Sequence, residues 1–395
     1  MSWLRRHPVA AVVAFGFLLR LALFFHWHGS PEGIQDDYYD RAVMMLRHQP
    51  MEMWQDLFRP PLYAWALYLL FLVVGVNTTI ASLLQCLLAA GTGWLLYRMA
   101  RALGDEKAGV AAAAVWSINI YSVFYSARLM NETLYVALTV AFFWVWIERP
   151  RFYGPLAGLL AALACLCKWT FMAFLPLFAV VESWPIIRRK EDWKPLALCL
   201  IVAAGGIGLW GLRNHARYGR FILAGPQKGW NFYEGLALQQ SEDPERPRQM
   251  AAEAHALGVD KDPFVQDDYF WKKGWSEVRE DPGAAFWLFA GKVIKFWRLA
   301  PYPPHPRLVR WGAGLFYLLL FACALQGGLI LHRRGISIFP IYALFLYTWL
   351  LHTVFFSGIR YRFPLDPFLS LLAGFSLSEL IWGHQAPLAR HPRRT

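Results

Sequence analysis

The chain has 395 residues, of which 57% are hydrophobic and only 17% are charged. Soluble proteins carry about 25% charged residues, whereas this sequence repeats apolar runs of about 20 residues, the length that crosses a bilayer core. The composition therefore excludes an ordinary soluble domain and predicts an all-α polytopic membrane protein. The net charge of +12 does not indicate nucleic-acid binding, because the basic residues gather between the apolar runs, where the positive-inside rule places them.

The first apolar run, residues 8–27, follows Arg5 and Arg6. It resembles a signal peptide, but no small-residue cleavage site follows it, so we expect an uncleaved first span with a cytosolic N-terminus. The five cysteines all lie in apolar segments and predict neither a disulfide framework nor a zinc site. No cofactor is expected, although a divalent metal is compatible with the sequence.

An acidic stretch, GIQDDYYDRAVMML at residues 33–46, directly follows the first span. If this stretch is a helix, Asp36 and Asp40 share a face, because residues four apart are neighbours on a helix surface. Aspartate is favoured in the first turn of a helix, so a solvated helix start is one interpretation. The other is that these residues are the working carboxylates of an enzyme at the membrane surface, and the local sequence leaves both open.

The segment 60–75 decides the predicted topology. It is short, begins with two prolines and carries Tyr63, Trp65 and Tyr68, which favours an interfacial helix over a span. If it does not cross, the later basic clusters face the cytosol as the positive-inside rule requires, and both termini are cytosolic. Ten predicted spans then remain, at 8–27, 78–98, 107–126, 131–147, 153–167, 169–187, 194–213, 308–331, 336–356 and 361–382.

This topology brings polar residues from distant parts of the chain to one outer face. Glu132 lies beside Arg128 and Asn131 in ARLMNETLY, a polar corner between two apolar helices. A carboxylate at a helix start is stabilised by the helix dipole, which is the alternative explanation for Glu132. Ionisable residues at membrane depth are nevertheless costly and indicate function by default.

Several cations are predicted on the same face. Arg360 and Arg362 lie in GIRYRFPLDPF at the mouth of the last span, and Lys168 lies between two spans. Guanidinium groups suit bidentate contacts with phosphate, and a lipid phosphate is the nearest anionic partner at a membrane surface. Anchoring of the helices at the interface is the alternative explanation for the arginine pair.

The chain divides into three predicted regions. Residues 1–213 form an N-terminal transmembrane module with an acidic first outer loop at 28–77, and 214–306 form an outer-face loop or small helical subdomain. Residues 307–395 form C-terminal transmembrane helices and a basic cytosolic tail. Because the sequence contains no phosphate-cradling glycine loop, no HExxH and no GxSxG, soluble nucleotide chemistry is not indicated.

Several stretches together resemble a known family. DDYYDRA, FRPPLYAWALYLLFLVVG and YRMARALGDEKAGVAAAAVWSINIYSVFYSARLMNETLY, in this order, are similar to the GT-C integral-membrane glycosyltransferases. The nearest subgroup is the bacterial glycosyltransferase 39/ArnT-like group, related to protein O-mannosyltransferases. LRNHARYGRFILAGPQKGWNFYEG and RYRFPLDPF resemble the later landmarks of that group, so the resemblance covers residues 1 to about 382.

The resemblance implies a GT-C-like bundle of about ten transmembrane helices, with interfacial helices in the first outer loop and a periplasmic insertion. It implies a multi-pass enzyme of the bacterial cytoplasmic (inner) membrane, in the EC 2.4 class, with its active site on the outer face. The implied donor is a polyprenyl-phosphate-linked sugar, and the acceptor is a glycan, lipid or protein. Membrane lipids are the other expected partners, and no nucleic acid is expected.

In the family, an acidic residue of the first outer loop acts as the catalytic base. Asp36 matches best, because Tyr39 and Ala42 follow it at the usual spacing, and Asp37 is the alternative. Glu132 matches the acidic residue at the corner between the third and fourth spans. The chemistry is coherent without the family, because cations would hold the phosphate while a carboxylate deprotonates the acceptor. Attack opposite the leaving phosphate would invert the anomeric centre.

The predicted site combines these assignments. The predicted catalytic residues are Asp36, Asp37 and Glu132. The predicted donor-phosphate ligands are Arg360, Arg362, Lys168 and Arg59. The predicted substrate contacts are Tyr39, Arg128, Asn131, Arg213, Asn214, Asn231 and Tyr361. Two other classes remain open: a transporter or flippase of a lipid-linked or anionic substrate, although no internal repeat is seen, and a polysaccharide polymerase or ligase.

Overall fold

The computed structural model describes residues 7–27, 37–236, 245–301 and 305–383, which form helices and no strand. The helices of the N-terminal half are α1 (Pro8–Trp27), α2 (Tyr38–Leu46), α3 (Met53–Leu57), α4 (Pro61–Val74), α5 (Thr78–Ala102), α6 (Glu106–Ser117), α7 (Ile120–Ser126), α8 (Glu132–Glu148), α9 (Tyr153–Cys167), α10 (Thr170–Arg189) and α11 (Lys194–Tyr218). The remaining helices are α12 (Lys228–Leu236), α13 (Arg246–Ala256), α14 (Pro263–Glu280), α15 (Pro282–Phe296), α16 (Arg307–Arg333), α17 (Phe339–Val354), α18 (Ile359–Arg362) and α19 (Asp366–Trp382).

The predicted fold class, an all-α polytopic membrane protein, is confirmed. Each of the ten predicted apolar runs coincides with a helix or a pair of consecutive helices. Among the described residues, six helices are long and apolar enough to cross a membrane, or up to seven if α6 and α7, which meet at 59°, form one span. The predicted regional boundary at 213/214 falls inside α11, which continues to Tyr218.

The predicted first outer loop builds a small core of its own. α2 and α4 pack together through aromatic rings, with Tyr38 and Tyr63 at 5.3 Å and Tyr39 and Phe71 at 6.0 Å between ring centroids. Leu129, from the corner before α8, joins this cluster. α4 begins directly at Pro61, because the fixed φ of proline suits the first turn of a helix. The loop is therefore a structured pair of helices that contacts the Glu132 corner.

The transmembrane core centres on α19, which is buried along most of its length between α6 and α16. Small residues allow this close approach: a Cβ on Gly374 would lie 2.4 Å from the carbonyl oxygen of Ala108. Such small-residue contacts are the usual means of packing helices in a membrane, where no hydrophobic force drives helices together.

The break between α6 and α7 is filled by an arginine from the first span. Arg20 is fully buried, and its guanidinium donates to the carbonyl oxygens of Trp116 at 3.1 Å and Ser117 at 3.2 Å. It also donates to the Ser122 hydroxyl at 2.6 Å. Since a helix end leaves carbonyl groups without intrahelical partners, this arginine satisfies them at a depth where water is absent.

The predicted outer-face segment folds onto the bundle next to the last predicted spans. The Asp267 side chain of α14 accepts from the N–H groups of Gly229 at 2.7 Å and Trp230 at 3.0 Å, and so caps the start of α12. At the other end of α12, a Cβ on Gly235 would lie 2.6 Å from the carbonyl oxygen of Phe355. Lys292 of α15 donates to the same Phe355 oxygen at 2.6 Å. These contacts place α12 and α15 beside the turn that carries Arg360.

Candidate active site

Of the two predicted first-loop bases, the structure describes Asp37, whereas Asp36 lies outside the described residues. Asp37 precedes α2 but makes no side-chain capping hydrogen bond to it. Its carboxylate is 58% exposed and accepts from Nε of Arg59 at 3.2 Å. Capping of α2 therefore does not explain Asp37. The ion pair of Asp37 with Arg59 joins the acidic stretch to a predicted ligand of the donor phosphate.

Arg59 is held in place through its backbone. Arg41 of α2 donates from Nη1 to the Arg59 carbonyl oxygen at 2.9 Å. The Arg59 guanidinium also lies over the Phe58 ring, 5.2 Å from its centroid. The loop between α3 and α4 thus presents a cation beside Asp37.

Glu132 lies at the centre of a second ion cluster. It starts α8 and is fully buried. Its Oε1 accepts from Nε of Arg360 at 2.6 Å and lies 3.9 Å from Nζ of Lys168. Its Oε2 is buried and has no hydrogen-bond partner within the described part of the chain. We call Glu132, Lys168 and Arg360 the Glu132 cluster.

A reciprocal pair of hydrogen bonds brings two of these residues together. Asn131 donates from its side chain to the carbonyl oxygen of Cys167 at 2.7 Å, and the Cys167 thiol donates to the Asn131 carbonyl at 3.7 Å. Each partner is the immediate neighbour of a cluster residue, so this contact sets the distance between Glu132 and Lys168. Asn131, predicted as a substrate contact, is buried and has this positioning role.

The charges of the two ion clusters act on one another. Burial lowers the pKa of Lys168, and the negative charge of Glu132 opposes that effect. The positive charges of Arg360 and Arg59 lower the pKa of Lys168 further. Arg360 and Arg59 therefore both lie within electrostatic reach of Lys168, although the three cations come from distant parts of the sequence.

The two arginines of GIRYRFPLDPF point to different places. Arg360 reaches Glu132 and keeps 38% of its side chain exposed, whereas Arg362 is fully buried. Arg362 donates from Nη1 to the carbonyl oxygen of Arg298 at 2.5 Å and lies 3.6 Å from the Asp366 carboxylate. Its guanidinium carbon is 4.3 Å from the ring centroid of Tyr317. The structure thus separates Arg362 from the Glu132 cluster.

Tyr361 and Lys168 line the same shallow cleft, together with Tyr135 and His352. The Tyr361 ring packs on His352, with ring centroids 4.7 Å apart. Arg128 lies at the neighbouring corner, where its guanidinium carbon is 4.0 Å from the Phe124 ring centroid. These two predicted substrate contacts, Tyr361 and Arg128, border the Glu132 cluster.

Four other predicted substrate contacts lie outside the Glu132 cluster. Tyr39 packs its ring against Phe71 in the first-loop core. Asn214 is fully buried and donates to the carbonyl oxygen of Ile222 at 2.7 Å. Arg213 donates to Asp56 at 2.5 Å. Asn231 lies half-buried on α12.

Sequence reasoning missed two acidic residues near the site. Asp56 is buried and binds Arg213, a residue 157 positions away, so no local pattern could have found it. Glu234 of α12 accepts from the Trp230 indole at 2.9 Å. Burial raises the pKa of Glu234, while the positive charges of Arg246 and Arg59 oppose that effect. The outer segment therefore also presents a carboxylate towards Arg59.

Comparison with known protein families gives a match to part of the chain. The family model for dolichyl-phosphate-mannose-protein mannosyltransferases matches residues 58–207. No curated protein matches the sequence.

Solved structures share the fold over almost the whole chain. The archaeal oligosaccharyltransferase AglB from Archaeoglobus fulgidus, in complex with an inhibitory peptide and a dolichol-phosphate, has a TM-score of 0.57 at 14% identity, covering 98% of this chain and 53% of AglB. The apo form of the Archaeoglobus fulgidus oligosaccharyltransferase has a TM-score of 0.58 at 14% identity, covering 96% of this chain and 51% of that protein. The chain thus spans about half the length of these oligosaccharyltransferases. The resemblance to the GT-C integral-membrane glycosyltransferases is confirmed by the matched family and by the shared fold.

Proposed function

We propose that this GT-C-type membrane protein is a glycosyltransferase that moves a sugar from a polyprenyl-phosphate donor to an acceptor, on the outer face of the bacterial cytoplasmic membrane. The Glu132 cluster carries the proposal, because it gathers two cations from separate parts of the chain around one buried carboxylate. The matched family and the shared fold support a transferase of the EC 2.4 class.

The donor phosphate binds at the Glu132 cluster. Two cations and one carboxylate leave one net positive charge there, which matches the single negative charge of a phosphodiester between sugar and lipid. Arg360 keeps part of its guanidinium exposed, and Arg59 lies within electrostatic reach. Positive groups fixed before the reaction stabilise the charge that develops on the leaving phosphate, and they do so without reorganising. Arg362 has a packing role instead, because its contacts are already made inside the core.

The acceptor is deprotonated by a carboxylate of the first outer loop. Asp37 is exposed and paired with Arg59, so a phosphate that attracts Arg59 leaves the Asp37 carboxylate available to accept a proton. Asp36 is still the residue that matches the family best. Mutating Asp36 and Asp37 separately decides which of them is the base. Attack from the side opposite the phosphate inverts the anomeric centre. No nucleotide is needed, because the lipid phosphate is already a good leaving group.

The acceptor is a glycan, a lipid or a protein. An AglB structure contains an inhibitory peptide and a dolichol-phosphate, which supports a lipid-linked donor and makes a protein acceptor one option here. The runner-up function, a transporter or flippase, would use a broken helix near the middle of the membrane. The bent α6–α7 pair has that form, but its break is filled by the buried Arg20 side chain. Transfer is therefore the better-supported function.

The direct test is turnover of radiolabelled polyprenyl-phosphate sugars by the purified protein in proteoliposomes. We expect labelled sugar to leave the lipid in the presence of an acceptor extract, and Glu132→Gln to reduce this release strongly. Movement of intact labelled lipid between leaflets without sugar release would favour the flippase. If neither sugar release nor lipid movement occurs with any donor in a panel of lipid-linked sugars, both functions are contradicted.

A further inference from the structure

A second basic cluster lies away from the Glu132 cluster. α11 carries Arg213 and Arg217 at its predicted outer end, where the positive-inside rule disfavours arginine. Both side chains surround Asp56 of α3, and Arg41 of α2 approaches from the other side. We call Asp56, Arg41, Arg213 and Arg217 the Asp56 cluster.

The geometry of this cluster is tight around the carboxylate. Oδ2 of Asp56 accepts from Nη1 of Arg213 at 2.5 Å and from the Tyr218 hydroxyl at 2.7 Å. Nη1 of Arg217 lies 3.8 Å from the same oxygen. Arg41 donates to the Asp56 backbone oxygen at 2.8 Å, and its Nε is buried with no partner within the described part of the chain.

Three guanidinium groups face one carboxylate, so the cluster keeps a net charge of +2. Burial by itself would raise the pKa of Asp56, but hydrogen bonds from Arg213 and Tyr218 and the charges of Arg213 and Arg217 hold it below its usual value. The carboxylate is therefore ionised at neutral pH and neutralises only one of the arginines. The side chains of Arg213 and Arg217 are 32% and 41% exposed, so both remain accessible to solvent.

We propose that the Asp56 cluster is a second anion site, which binds a phosphate group at the outer membrane surface. Paired guanidinium groups donate in a fixed fork that matches phosphate oxygens, and Asp56 fixes the orientation of both forks. The phosphate comes either from a phospholipid of the outer leaflet or from a phosphate-bearing acceptor. The first source needs only that the chain lies in a membrane, and the second rests on the proposed function.

The site is linked to the donor region through one side chain. Arg41 contacts Asp56 with one nitrogen and the Arg59 carbonyl oxygen with the other. Only the Arg41 side chain therefore lies between a phosphate bound at the Asp56 cluster and the backbone of Arg59, which pairs with Asp37. An acceptor held there by its phosphate would be anchored beside the proposed base.

The test measures phosphate binding in the Arg360→Ala background, which weakens phosphate binding at the donor site. In one arm, the full-length protein is placed in nanodiscs of phosphatidylcholine and titrated with inorganic phosphate. In the other arm, it is placed in nanodiscs that contain phosphatidylglycerol. Thermal unfolding is measured in both arms. Arg217→Gln is the test variant, because Arg217 is the most exposed of the three arginines and lies 3.8 Å from the Asp56 carboxylate. Arg220→Gln is the matched control, because Arg220 is a neighbouring exposed arginine paired with Asp262 at 2.8 Å.

We expect Arg217→Gln to need a concentration of phosphate or phosphatidylglycerol about tenfold higher for the same thermal stabilisation, as the loss of one charge-assisted hydrogen bond implies. Arg217→Lys should restore part of the effect, and Arg220→Gln should leave it unchanged. An effect with phosphatidylglycerol alone assigns the site to a membrane lipid, whereas an effect with inorganic phosphate supports a phosphate-bearing acceptor. The proposal would be overturned if the parent protein, Arg217→Gln and Arg220→Gln all responded equally to both probes. Thermal unfolding measured without either probe checks that each variant is folded.

Discussion

The two arginines of α18 should respond to mutation in opposite ways. Arg360→Ala removes a partly exposed cation from the Glu132 cluster, so we expect weaker donor binding. The loss of fold stability should be smaller than for Arg362→Met, because Lys168 still faces the buried Glu132 carboxylate. Hydrogen bonds to charged groups contribute about 1.5–3 kcal/mol. Because 38% of the Arg360 side chain is in solvent, we discount this contribution to about 1–2 kcal/mol, which corresponds to a rise in donor KM of about 5- to 30-fold.

Arg362→Met acts on the core instead. Arg362 and Asp366 are both fully buried and lie 3.6 Å apart, and Asp366 also accepts from Tyr317. Removing one partner of a buried ion pair leaves an uncompensated charge and costs about 3–5 kcal/mol. We therefore expect a large drop in thermal stability for Arg362→Met and an unchanged donor KM in the fraction that folds.

The assay pairs donor KM in sugar transfer with thermal unfolding for each variant. Arg360→Lys is the matched control: it keeps the charge but loses the bidentate fork, and so should lie between wild type and Arg360→Ala. If Arg362→Met unfolded like wild type and raised donor KM more than Arg360→Ala does, the assignment of the two side chains would be reversed.

Three further predictions concern the base, the topology and the outer segment. Asp36→Asn or Asp37→Asn, whichever removes the base, should lower transfer by about 10²- to 10⁴-fold with donor binding retained; if both variants stay active in the same assay, the base lies elsewhere. Reporter fusions after Arg101 and Arg334 should report the cytosol and fusions within α13 the outside, whereas an external signal after Arg101 would mean that α4 crosses. Burial, together with the charge of Lys295, lowers the pKa of Lys292 to about 7 in the folded protein, from its usual value of 10.5. At pH values between these two pKa values the unfolded chain binds more protons than the folded protein, so the free energy of unfolding rises with pH. Thermal unfolding from pH 7 to pH 9 should show this rise in wild type and a smaller one in Lys292→Met; equal slopes would refute it.

Local patterns determined the architecture of this protein. Apolar length and loop charge are properties of short segments, so they located every helix that the bundle uses and set 60–75 apart as a separate short helix. The same reasoning singled out Glu132, Lys168 and Arg360, since each is an ionisable residue at the end of an apolar helix, where an unpaired charge is costly. The structure brings all three of these residues together.

Pairing between distant segments is what only the tertiary structure decided. Arg360 and Arg362 are two residues apart and chemically identical, yet one reaches Glu132 and the other is buried against Asp366, because the short helix α18 directs them to opposite sides. Asn214, predicted to contact substrate, donates to the carbonyl oxygen of Ile222, eight residues further along the chain. Which partner a charged side chain meets depends on how helices far apart in sequence approach one another, and neither spacing nor composition records that approach.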